Sequence, residues 1–158
     1  MSSLRPFREQ DFLTLSRWRN DAEAQRLLMG RGGSQSPDQV RAWLKRRTED
    51  AEGGFWCIEH DGLAGYVQLT DVNRVDGHGK LGLFVDQEFR GRGIAAEALR
   101  ELEASSRLHK LVLEVLESNT RAVRFYERNG YGAVGVLRAH WKHDGAYHDV
   151  RIMEKILP

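Results

Sequence analysis

The sequence predicts an α/β domain built on a mixed sheet flanked by helices. Three observations predict it. The segments run strand, helices, three strands, helix, strand, helix, two strands. The piece from Leu81 to Val115 reads strand, turn, helix, strand, and such a crossover makes its two strands parallel. Two tight-turn signals, His60-Asp61-Gly62 and Asp144-Gly145, make their flanking strands antiparallel.

Each element follows from its residues. Ser3 to Arg8 reads as a short strand and Glu9 to Trp18 as a helix, loosely periodic in Phe12, Leu13, Leu15 and Trp18. Arg19-Asn20-Asp21 breaks it, and a second short helix covers Ala22 to Met29. Gly30-Arg31-Gly32-Gly33-Ser34 reads as the most flexible stretch. Ser36-Pro37-Asp38 starts a helix running to about Thr48, with Ser36 as cap, Pro37 at the first position and Asp38 in the first turn. Phe55 to Glu59 and Leu63 to Thr70 form a hairpin, Asp71 to Gly79 is a polar loop, and Leu81 to Val85 is a third strand. A helix from Ile94 to about Leu108 carries the apolar stripe Ile94, Ala98, Leu99 and Leu102. Leu111 to Val115 is a strand. Ser118-Asn119 caps a helix to Arg128, which Asn129-Gly130 ends. Tyr131 to His143 and Ala146 to Ile156 form the last hairpin.

Composition narrows the function. The 158 residues suit one domain spanning 1–158, 41% hydrophobic and 30% charged, with a formal net charge of +1. No overall field draws such a chain to nucleic acid or to a membrane surface. The N-terminal residues lack the apolar stretch of a signal peptide, and no run approaches the length of a membrane span, so the cytoplasm is expected. The single cysteine, Cys57, stands in the apolar run Phe55-Trp56-Cys57-Ile58 and reads as a buried strand residue.

The stretch Phe89-Arg90-Gly91-Arg92-Gly93-Ile94-Ala95-Ala96 carries the first chemistry. A helix N-terminus offers unpaired amides and a partial positive charge. Gly91 and Gly93 remove the β-carbons that would hold an anion away, and Arg90 and Arg92 add charge. The P-loop pattern is absent. A dinucleotide fingerprint tolerates Ala96 at its third glycine position, but this unit is not at the chain start and no acidic residue closes the next strand, so that reading is rejected. The turn alone is equally consistent with a plain strand-to-helix connection.

A second constellation follows: Leu113-Glu114-Val115, Asn119, Ala122, Phe125-Tyr126-Glu127 and Asn129-Gly130-Tyr131. With Arg90, Gly93 and Ala95 in the pattern R-x-x-G-x-A, this order and spacing resembles the GNAT superfamily of N-acetyltransferases across Leu63 to Tyr131. Either motif alone is unspecific. Within the superfamily, Trp18-Arg19-Asn20-Asp21 and the tail Gly135-Val136-Leu137-Arg138 … Asp144-Gly145 … His148-Asp149-Val150 look most like the ribosomal-protein N-terminal acetyltransferases and the relatives that acetylate amino-sugar nucleotides.

The resemblance implies a mostly antiparallel sheet whose parallel pair splays apart. It also implies acetyl-CoA as acyl donor, with its pyrophosphate on the amides from Gly91 to Ala96 and its pantetheine arm against the strand ending at Phe84 and Val85. Asn119 matches the asparagine that contacts that arm. Tyr126 matches the tyrosine that protonates the departing thiolate, a role that the neighbouring pKa ranges of thiols and phenols permit. Glu114 matches the glutamate taken as base in ribosomal alanine acetyltransferases, although other members carry it without that role. Some relatives use a glutamate from the strand before the turn, which Lys80-Leu81-Gly82-Leu83-Phe84 lacks. A water chain, His78 or Asp71 remain as alternatives, with an amide near Val85 as oxyanion donor.

By the same resemblance the acceptor amine, a small molecule or a peptide N-terminus, binds between the early helices and the final hairpin. Trp18, Arg19, Asn20, Arg138, His140, Trp141, Tyr147 and His148 are its candidate contacts. Arg19 and Arg138 suit an acceptor with a diphosphate or carboxylate. His140, His143 and His148 lack a metal-ligand pattern, so no metal is expected. A non-catalytic acyl-CoA sensor is the alternative function, but it would not need Tyr126 and Glu114. The molecule is expected as a monomer or homodimer, the final hairpin offering an edge for pairing.

Overall fold

The computed structural model describes residues 3–30 and 33–158. Of the glycine-rich stretch after Met29, Arg31 and Gly32 lie outside that description.

Seven strands form one sheet in the order β1-β2-β3-β4-β5-β7-β6. They are β1 (Ser3–Arg5), β2 (Gly54–Glu59), β3 (Leu63–Asn73), β4 (His78–Val85), β5 (Lys110–Leu116), β6 (Gly132–His143) and β7 (Ala146–Ile156). The helices are α1 (Phe12–Arg19), α2 (Ala22–Leu27), α3 (Pro37–Thr48), α4 (Ile94–Ser105) and α5 (Thr120–Arg128). Only β4 and β5 run parallel; every other neighbouring pair is antiparallel.

The elements begin and end where local chemistry dictates. In α3 the Ser36 hydroxyl accepts from the Gln39 amide while the Gln39 side chain accepts from Ser36 N–H, a reciprocal capping box with Pro37 behind it. Asn119 caps α5 by accepting from Ala122 N–H, and Gly130 leaves the helix at φ 93°. Asp144 and Gly145 both take positive φ, the geometry that joins strongly twisted strands in two residues.

Several boundaries differ from the sequence reading: β1 ends at Arg5 rather than Arg8, and α2 at Leu27 rather than Met29. Residues 9–11 form a 3₁₀ turn rather than the start of α1, because the Asp11 carboxylate is drawn inward. The loop expected from Asp71 to Gly79 is mostly strand: β3 runs on to Asn73 and β4 starts at His78, across a bulge where Asp71 adopts φ 50°. Helix α4 stops at Ser105, where Ser106 bonds back to the last turn.

Strand alternation sends side chains into two cores. One lies under α4 and α5 and holds Val67, Leu69, Leu99, Leu111 and Leu113, with the stripe Ile94, Ala98, Leu99 and Leu102 buried as its periodicity predicts. The other lies under α1, α2 and α3 and is aromatic: Trp18, Trp43, Phe55, Tyr66 and Phe84, beside Cys57. Cys57 is fully buried, and burial beside Asp11 pushes its thiol up to about 12, so it is an inert core residue.

A buried ion pair closes the second core. Arg5 grips Asp11 through two nitrogens at 2.8 and 2.9 Å, and the Arg8 amide donates to the same carboxylate at 2.8 Å. Burial pushes the Asp11 carboxyl up, but the Arg5 and Arg8 hydrogen bonds outweigh it and leave the group below its ordinary range. Asp11→Ala leaves Arg5 without this partner and is expected to cost about 3 kcal/mol in denaturant unfolding at neutral pH. Because the folded-state value is depressed, this stabilisation is complete above the ordinary carboxylate range and is lost as pH falls through the folded value. The gap between wild type and Asp11→Asn should therefore narrow on acidification; a gap constant with pH refutes the linkage.

Candidate active site

The sheet opens in its middle. β4 and β5 pair only at His78–Lys110, Gly79–Leu111 and Lys80–Val112. Beyond that point β4 stays registered with β3 as far as Val85, and β5 with β7 as far as Leu116. The free edge between them faces a cleft of about 1270 Å³.

Alternation decides which β4 groups face this gap. A Cβ built on Gly65 of β3 would meet the Phe84 carbonyl oxygen, and Asp86 N donates to Ala64 O, so positions 84 and 86 bond toward β3. The Val85 carbonyl instead accepts from Arg90 Nε at 3.2 Å. Val85, and Leu83 two residues earlier, therefore present their backbone to the gap. Phe84, read from the sequence beside Val85 as a backbone contact, gives its carbonyl to β3, while its ring packs 5.0 Å from Trp18.

The glycine-rich turn closes one end. Gly91 and Gly93 sit at φ 81° and 76°, which L side chains rarely adopt. Gly93 is the cap residue of α4 and no side chain caps the helix, so the first-turn amides of Ile94, Ala95 and Ala96 point outward without a local acceptor. Arg90, Gly91, Gly93, Ile94, Ala95, Ala96, Asn119 and Tyr126 all line the cleft. Arg92 does not: its guanidinium lies over the Phe89 ring at 5.6 Å. The sequence reading missed Arg121 and Arg128 of α5, which line the same end. Arg90 lies below the usual arginine range, first because it is partly buried and then because Arg121 repels it. Two guanidiniums, outward amides and an open strand edge fit the phosphates and the amide-bearing arm of a coenzyme A.

Tyr126 hangs from α5 with its ring edge-on to Phe125 and Tyr131, at 5.2 and 5.6 Å. It is nearly buried, and among the described residues its hydroxyl has no hydrogen-bond partner. Burial pushes the phenol well above its ordinary range, so it keeps its proton at neutral pH. Glu114, on the splayed part of β5, receives Lys80 Nζ on Oε2 at 3.0 Å across the gap. His78 and Asp71 lie at the paired end of β4 and in the bulge before it, outside the cleft.

The far end collects α2, α3, the β3 face and part of β6: Arg19, His140, Trp141 and Lys142 line it, with Trp43, Arg46, Arg47, Tyr66 and Gln68, which the sequence reading did not single out. The remaining expected acceptor contacts lie elsewhere. Trp18 is core, its indole N–H donating to Asp86 at 3.1 Å. Asn20 ties the loop after α1 to Gln35 through two hydrogen bonds. Arg138 is exposed on β6, Tyr147 stacks under Lys142 outside the cleft, and His148 packs against Trp141. Among the described residues no group of three or more His, Cys, Asp or Glu side chains is placed to hold a metal, and no helix is long and apolar enough to cross a membrane.

The sequence profile of the acetyltransferase (GNAT) domain matches residues 3–132. The chain belongs to the GNAT acetyltransferase family. It is an acyltransferase with acetyl-CoA as donor. Spermidine N(1)-acetyltransferase of Vibrio cholerae is 32% identical over 125 residues, covering 75% of this chain and 72% of that one. The ribosomal-protein-serine acetyltransferase of Escherichia coli is 24% identical over 107 residues, covering 65% of this GNAT chain and 60% of its own. The crystal structure of the V. cholerae spermidine enzyme with CoA and spermine superposes with a TM-score of 0.90 at 22% identity, covering 99% of this chain and 95% of that one. The seven-stranded sheet with one splayed parallel pair is therefore the GNAT fold.

Nothing lies within 4 Å of a Cβ built on Gly93, so a side chain there meets only the left-handed backbone and the space before the α4 amides. Gly93→Val is expected to weaken acetyl-CoA binding by about tenfold or more in titration calorimetry, since forcing a β-branched residue into that conformation costs roughly 1–2 kcal/mol before any clash with phosphate. Unchanged affinity refutes the role of the turn.

Proposed function

We propose that this GNAT enzyme transfers the acetyl group of acetyl-CoA to the primary amine of a small molecule or peptide N-terminus by direct attack in a ternary complex. The observation that carries the reading is the opening of β4 from β5 beside both the glycine turn and Tyr126. Bound there, the coenzyme supplies a thioester whose sulfur is the leaving group.

The chain's own residues do the rest. The Arg90 and Arg121 side chains and the amides at the start of α4 hold the phosphate end. The Val85 and Leu83 backbone groups orient the arm along the open edge, and an amide of this edge stabilises charge developing on the acyl oxygen. Among the described residues the Tyr126 hydroxyl has no partner competing for it, and it keeps its proton, so it donates to the departing sulfur. The Glu114 carboxylate engages Lys80 through Oε2 alone. Its second oxygen takes the amine proton, directly or through water. A coenzyme A thioester as donor supports a cytoplasmic site of action.

Tyr126→Phe should keep acetyl-CoA affinity in calorimetry and lower kcat by about tenfold or more, the low end of what a positioned general acid contributes. An unaltered kcat with saturating substrates overturns the assignment. Because the folded-state phenol is raised, its donor function persists until pH passes well above the ordinary tyrosine value near 10. The wild-type kcat should not fall between about pH 7 and 9.5; an alkaline limb in that window that Tyr126→Phe removes would contradict the raised value. Tight acetyl-CoA binding with no amine acetylated would instead restore the acyl-CoA sensor.

A further inference from the structure

The far end of the cleft is charged in a way that the reaction does not require. Trp43, Arg46 and Arg47 lie three and four residues apart on α3 and so share a face. Arg19, from the end of α1, lays its guanidinium 4.3 Å from the Trp43 ring centroid. All four line the cleft. Arg19 lies below the usual arginine range, first because it is buried; Tyr66 raises it, while Arg47 and Arg46 lower it further by repulsion. Among the described residues none of these three guanidiniums has a carboxylate partner, and Met1, Ser2, Arg31 and Gly32 add no acid. Arg47 Nε is buried without a hydrogen-bond partner. Glu114 is the only acidic side chain in the lining, and Lys80 already engages it.

The floor beside this corner is polar. Tyr66, Gln68 and Thr70 alternate along β3 and face the cleft together. Gln68 lies against β4 because position 82 is glycine: a Cβ there would come within 2.7 Å of its Cγ. Its Oε1 is buried and unpartnered, an acceptor for an N–H. Arg46 is exposed, but Arg19, which donates to Gln35 Oε1 at 3.3 Å, and Arg47 are half-buried, so two partly desolvated cations face each other there without a counter-ion, which costs free energy until an anion joins them.

Resting on the acetyltransferase reading above, we infer that the acceptor is a small primary amine that also carries an oxyanion, a carboxylate or a phosphate, bound by Arg19, Arg46 and Arg47 with the amine end toward Gln68 and β4. The polyamine named for the V. cholerae relative is the opposite case. Its ammonium groups would enter a corner of three guanidiniums with no carboxylate to receive them.

The test is a transfer assay with acetyl-CoA on matched pairs: phosphoethanolamine against ethanolamine, and 4-aminobutyrate against butylamine, with spermidine alongside. Acetyl-CoA binding is measured separately by calorimetry. In at least one pair the anionic amine should exceed its neutral twin in kcat/KM by about tenfold or more, the worth of one charge-assisted contact. The pair that responds identifies phosphate or carboxylate as the recognised group. Arg47→Gln should erase that preference by raising KM for the anionic twin, and Arg47→Lys should restore part of it. No anionic amine surpassing its twin, spermidine surpassing both, or a preference that survives Arg47→Gln overturns the inference and leaves the acetyltransferase reading standing. Failure to bind acetyl-CoA overturns that reading, and the inference with it.

Discussion

The structure depends on a pairing that stops. Parallel β4 and β5 share three registered positions and then separate, while each keeps its antiparallel neighbour. A buried strand edge left unpaired is unfavourable, so something with its own amides and carbonyls belongs there. The glycine turn follows directly from the open end of β4. One topological choice, a crossover through α4, thus sets both the open strand edge and the glycine turn beside it.

Charge then divides the cleft. Arg121 lies close to Arg90 at the glycine turn, while Arg46 and Arg47 gather about Arg19 elsewhere in the lining. Between them the Lys80–Glu114 pair bridges the splayed strands at their base. Among the described residues, the one carboxylate of the lining therefore sits just past the point where β4 and β5 part. Cations occupy both ends, where they favour negatively charged groups and disfavour a polycation.

The aromatic core makes this arrangement stiff. Tyr66 stacks on Phe55 and Phe84, Trp43 meets Phe55 and Tyr66 edge-on, and Trp18 is fixed on Asp86. These residues lie directly behind the far end of the cleft. Trp43 serves both sides, core with its inner edge and a platform for Arg19 with its face. Side chains whose rotamers are locked in this way hold an acceptor at lower entropic cost than mobile loops would.

Much of this was legible in the sequence. The capping signals of α3 and α5, the apolar stripe of α4, the two tight turns and the crossover are local or nearly local, and each follows from backbone chemistry within a few residues. The glycine turn and Tyr126 were legible as motifs for the same reason: a left-handed residue and a helix cap are properties of a short stretch. The far end of the cleft was not. Trp18, Arg19 and Asn20 were all expected as acceptor contacts, yet the turn of α1 sends Trp18 into the core, Arg19 onto Trp43 and Asn20 to Gln35. Arg46 and Arg47 carry no motif that singles them out, and only the packing of α3 on the sheet brings them toward Arg19 and Tyr66. The sequence by itself determined the elements, their order and the glycine turn before α4, because those rest on hydrogen bonds between near neighbours. Tertiary structure alone decided which charges converge, because that depends on contacts between residues far apart in the chain.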